Sequence, residues 1–123
     1  MAKNKGPQSQ LLAGTTVSIN VPAAIPNPAT VANGGSLSPQ GTFTPTGGLV
    51  QVVCNVVFSD ANDMEQNISV PVTMNQTTGH WNASTPLSFP IQNWRYLLCV
   101  IARNPADGSS QRRDRHIDVG SPH

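Results

Sequence analysis

The residues able to do chemistry in this chain are three histidines, six carboxylates and two cysteines. His80, His116 and His123 stand too far apart for the close pairing that a metal motif needs, and neither HExxH, CxxC nor His-x-His occurs. A GxSxG elbow, a P-loop and a GxGxxG turn are equally absent from the sequence. His116 and Asp118 fall on one face of a strand, but spacing places no serine beside them to act as a nucleophile. The expectation is a protein that is not an enzyme and carries no cofactor.

Asp60, Asn62, Asp63 and Glu65 crowd oxygen atoms into one turn, which makes them a weak calcium candidate. An EF-hand is excluded, since the loop has no glycine at its sixth position and Pro71 occupies the place of the closing glutamate. A solvated turn held by Asp and Asn side chains explains the same composition. Trp81, Trp94 and Tyr96 could stack on the apolar side of a sugar ring, but aromatics make up only 5% of the chain, and so few are needed in a core. Arg112, Arg113, Arg115 and His116 form one basic run broken by Asp114; it reads as charge on a solvated edge strand, with an anion site as the alternative. The sequons at Asn67, Asn75 and Asn82 are what an Asn-, Ser- and Thr-rich chain yields by chance.

Strands must position all of these residues. Ten glycines and eleven prolines stand against a single glutamate, Glu65, so strong helix formers are scarce. Residues 37–46 read as a Pro-interrupted strand and residues 49–58 (LVQVVCNVVF) as a nearly continuous apolar run, the best candidate for a central strand. Ile68, Val70, Val72 and Met74 alternate with polar residues, with Pro71 placed where its missing N–H is not needed. Residues 75–79 (NQTTG) form a hairpin loop that pairs this strand with the one opening at Trp81. Leu87 and Phe89 follow, then a second apolar strand over 94–103 (WRYLLCVIAR), a turn over 104–110 and a half-polar last strand ending at Ile117 and Val119. About seven strands, each with an apolar face to cover, predict an all-β antiparallel sandwich.

The 123 residues fit one domain, and two regions differ within it. Residues 1–34 have the composition of an arm or linker, with prolines at 22, 26 and 28; residues 35–123 form the sandwich domain. Inside the arm, Thr15, Val17, Ile19 and Val21 outline a short strand suited to the edge of a sheet in this chain or a neighbour's. A net charge of +1 with scattered basic residues predicts no nucleic-acid partner. No Sec signal is legible, no run reaches the ~18 apolar residues of a membrane span, and no lipid-anchor ending is present. The expectation is a soluble product of cytoplasmic origin with no membrane partner, associated with a virion or exported by a non-Sec route.

Gly41-Thr42-Phe43, the Val-rich run, Gly79-His80-Trp81-Asn82-Ala83, the Tyr-led strand from Tyr96 to Ala102, and the turn Asp107-Gly108-Ser109-Ser110 follow one another in a telling order. In that order they resemble the bacterial immunoglobulin-like (Big-type) modules of surface and adhesion proteins, a fold that also decorates phage particles. The resemblance covers about residues 35–120 and implies an immunoglobulin-like fold with Trp81 and Tyr96 in its core. By resemblance Tyr96, Leu98, Val100 and Ala102 point inward, which puts Cys99 on the opposite face, whereas Cys54 shares the face of Val52 and Val56. That parity implies reduced, packing cysteines, although a bulge or reversed facing would allow a bridge. The function expected is a structural or interaction module, a subunit or decoration of a larger particle that meets a protein partner or itself through the arm. The alternative is a monomeric surface adhesion or carbohydrate-binding module with a surface glycan as partner.

Overall fold

The computed structural model describes residues 14–122, and these form an all-β unit without a helix. One sheet holds β1 (Thr16–Val21), β4 (Gln40–Thr44), β8 (His80–Ala83) and β7 (Val72–Asn75), side by side in that order and antiparallel throughout. A second sheet holds β2 (Ala29–Val31), β11 (Ser110–Val119), β10 (Trp94–Arg103), β5 (Gln51–Ser59) and β6 (Glu65–Val70), in that order. Its pairings are antiparallel except β2 with β11, which is parallel. A two-residue ladder joins β3 (Ser36–Leu37) to β9 (Leu87–Ser88).

The inner faces of the two sheets share one core. Period-two alternation supplies it: Val52, Cys54, Val56 and Phe58 from β5, and Tyr96, Leu98, Val100 and Ala102 from β10, all point inward. The opposing sheet contributes Val17, Ile19, Phe43 and Trp81. Trp81 is 1% exposed, and its indole N–H donates to the Ser18 carbonyl at 3.0 Å, satisfying a polar group that burial would otherwise orphan. Tyr96, also 1% exposed, lies between the rings of Phe58 and Phe89, each with its centroid 4.9 Å away.

Two segments depart from the sequence reading. The alternation across Pro71 is two strands: β6 ends at the edge of the five-stranded sheet and β7 starts at the edge of the four-stranded one. Lacking an N–H, Pro71 ends one ladder and lets the chain change sheets, while Val70, Val72 and Met74 keep facing the core. The second departure concerns residues 14–34, which do not stand apart as an arm. β1 joins one sheet and β2 the other, through a Pro-rich connection with cis peptide bonds before Pro22, Pro26 and Pro28. Residues 1–13, including the expected start of the arm, and His123 lie outside the described residues.

Candidate interaction surface

Thr15, Val17 and Ile19 are each 4% exposed, so the strand expected to dock on a neighbour is filled into this chain's own core; Val21 is half-buried at its end. One edge of β1 pairs with β4, and β11 side chains hold backbone groups beyond it. Gln111 Oε1 accepts the Val17 N–H at 2.8 Å, and the Arg115 guanidinium donates to the carbonyls of Ile19 at 2.6 Å and Pro22 at 3.1 Å. Arg115 thus leaves the basic run to serve as a clamp. Arg112 pairs with Asp114 at 2.8 Å, and Arg95 with Asp118 at 2.6 Å. Arg95 beside it holds the Asp118 carboxyl below the usual carboxylate range.

The calcium candidate is organised from within. Asp60 Oδ1 accepts the N–H groups of Asn62 and Met64, and Oδ2 accepts from Gln66, which together keep its carboxyl below the usual range. Among the described residues no three of His, Cys, Asp and Glu come together as metal ligands. The sugar platform does not assemble either: Trp81 and Tyr96 are core residues, and only Trp94 is partly exposed, its indole N–H bonded to the Ser59 carbonyl.

Cys54 and Cys99 are both free and buried, on opposite faces of neighbouring strands. Burial pushes the Cys54 thiol up to about 12, and burial also raises Cys99. Neither thiol is activated as a nucleophile.

What the strands do build is an outward apolar stripe. The apolar runs of β5 and β10 supply an inner set and also an outer one: Val53 and Val57 from β5, and Leu97, Cys99 and Ile101 from β10. Register places Ile101 opposite Val53 and Leu97 opposite Val57, with Cys99 in the row between, beside Asn55. Val53 is 50% exposed, and Val57, Leu97 and Ile101 are half-buried. Arg112 leans over Cys99, its guanidinium nitrogen 3.2 Å from Sγ. Polar strands border the stripe on both sides. Arg112, Asp114 and His116 of β11 lie opposite Ile101, Cys99 and Leu97, and Asn67 and Ser69 of β6 lie opposite Val57 and Asn55. Among the described residues, the other large apolar side chains that stand exposed, Ile25, Leu49 and Met64, are single residues outside the strands.

Sequence reasoning took residues 49–58 as the best candidate for a central strand and residues 94–103 as a second apolar strand. The signal for the stripe was nonetheless present, because a run apolar at successive positions must be covered on two faces, and only one of the two is covered here. No helix among the described residues is long and apolar enough to cross a membrane. Set against known protein families, curated proteins and solved structures, the chain matches none.

Proposed function

We propose that this chain is an immunoglobulin-like β-sandwich acting as a non-catalytic interaction module, a subunit or decoration of a larger assembly. The order β1-β4-β8-β7 follows the A-B-E-D sheet of that fold, and β11-β10-β5 follows G-F-C, with β6 extending the second sheet. Tyr96 supports the same assignment. Near the start of β10, its hydroxyl donates to the Ile91 carbonyl at 2.6 Å and accepts the Ile91 N–H at 2.9 Å, as the tyrosine corner of such domains does. Leu98, two residues on, takes the position that antibody domains give to their second bridging cysteine.

The observation that carries the interaction role is the outward stripe of Val53, Val57, Leu97 and Ile101. Soluble monomers bury such surface or use it, since each part-exposed apolar side chain forgoes a share of the roughly 1.5–3 kcal/mol that its full burial would contribute. Binding through that face also needs none of the activated groups that catalysis requires. Chemical cross-linking of the full chain in an extract of its own cells provides the test, comparing wild type with a Val53→Lys, Ile101→Lys double variant. A discrete cross-linked species lost in the variant is expected. Identical cross-linking patterns for the two proteins would remove this face, and the reading with it.

A further inference from the structure

Resting on that reading, we infer that the partner on this face is a second copy of the chain, with the two five-stranded sheets packed face to face about a two-fold axis. The first ground is the placement of the stripe. It runs along β5 and β10, the middle strands of β11-β10-β5-β6, with one polar strand on either side. A two-fold parallel to these strands therefore lays apolar residues on apolar residues and polar rim on polar rim. That self-complementarity is the requirement of an isologous interface, and an apolar centre inside a polar rim is the usual anatomy of one.

Charge is the second ground. On the β11 rim, Arg112 is paired with Asp114 and Arg95 with Asp118, so both signs are interspersed and largely neutralised within the face. The β6 rim offers the uncharged Asn67 and Ser69 with Glu65 at its end, and Arg103 closes β10 on the same face, so that Arg95, Arg103 and Arg112 stand against Glu65, Asp114 and Asp118. Such a face carries no single-sign field to select an oppositely charged partner, and none to repel its own copy. A net charge of +1 over the whole chain leaves association equally unopposed.

Area is the third. Four strands at their usual spacing, β5, β10 and β11 nine or ten residues long and β6 six, make a face about 20 Å wide and about 20–33 Å long, on the order of 550 Å² before side-chain relief is added. That approaches the ~800 Å² per partner of a stable interface. The composition of β10 points the same way: Leu97, Cys99 and Ile101 make its outer face apolar over three successive outward positions, as in a strand covered on two faces, and β5 adds Val53 and Val57 on either side of Asn55.

Sedimentation equilibrium of the purified full chain, kept reduced and run over a hundredfold concentration range, tests the inference. Wild type is expected to move from the 13.0 kDa monomer toward twice that mass. Ile101→Lys and, separately, Val53→Lys should weaken dimerisation at least tenfold with the melting temperature of the dilute monomer held. Asn82→Lys, at an exposed position on the other sheet, should leave it unchanged. Cys99 gives a second readout: its alkylation should slow as wild-type concentration rises and become independent of concentration in Ile101→Lys. A monomer at every concentration, or a dimer indifferent to both lysines, overturns the inference. If the purified chain stays monomeric while the extract still yields a cross-linked species lost in the double variant, the face binds a different protein. In that case the second-copy inference falls and the interaction role stands.

Discussion

Tyr96 carries two roles that a single substitution can separate. Its ring fills the space between Phe58 and Phe89, and its hydroxyl satisfies both backbone groups of Ile91. Tyr96→Phe keeps the ring and removes the hydroxyl, leaving an N–H and a carbonyl without partners beside the core. The expected cost is about 1–3 kcal/mol, the usual penalty for orphaned buried polar groups, read as a lowered urea midpoint with an unchanged slope. A loss near zero would mean that water replaces the hydroxyl and that the corner is not closed. At this scale the sequence was a good guide to what is buried and a poor one to what a polar side chain does there. The inward set Tyr96, Leu98, Val100 and Ala102 and the opposed parity of the two cysteines are as read. Gln111 and Arg115, which hold β1 from more than ninety positions away in the chain, leave no local pattern to read.

At the level of elements, the long apolar runs were legible and the short strands were not. β10 occupies the ten residues read for it, because an unbroken apolar run bounded by turns has one plausible extent. β2 has three residues, too few for any periodicity, and β1 shows its alternation without showing which sheet takes it. What fixes β1 is its contact with β4 at Gly41. A Cβ there would run into the Ser18 carbonyl and the Trp81 indole nitrogen, so only glycine lets the two strands and the indole approach as they do. Gly41→Ala is therefore expected to destabilise by about 1–3 kcal/mol, the range for an overpacked core, with amide exchange accelerated first in β1. Gln111→Ala is the complementary test from the other edge. It strands the Val17 N–H alone and should cost a similar amount while speeding exchange chiefly at that amide. Uniform acceleration over the whole molecule in both variants would mean that β1 opens only with global unfolding.

For the whole molecule, stability is bounded on both sides by groups already identified. Asp60, Asp107 and Asp118 are each held below the ordinary carboxylate value by hydrogen bonds, from backbone and side-chain donors near Asp60, from Ser109 near Asp107 and from Arg95 near Asp118. A depressed folded value means that the unfolded chain binds the proton first. The stabilisation is complete above an unfolded Asp value of about 3.9 and is lost as pH falls below it toward the folded values. Cys54 acts in the opposite direction. Burial raises its thiol from 9.0 to about 12, so above 9.0 the unfolded chain ionises while the folded one keeps its proton. The stabilisation is whole below 9.0 and drains away as pH climbs toward 12, by at most about 1.4 kcal/mol per pH unit for one group. Urea midpoints measured under reducing conditions should thus decline in acid below about pH 4 and in alkali above about pH 9. Cys54→Ala separates the two limbs: it should lower the neutral midpoint modestly through the lost packing, leave the acid limb in place and flatten the alkaline one. An alkaline limb of undiminished slope in Cys54→Ala would assign that loss to other groups that burial raises, Cys99 and Tyr96. Cys54 would then ionise in the folded state, which a thiol sealed between two sheets should not do.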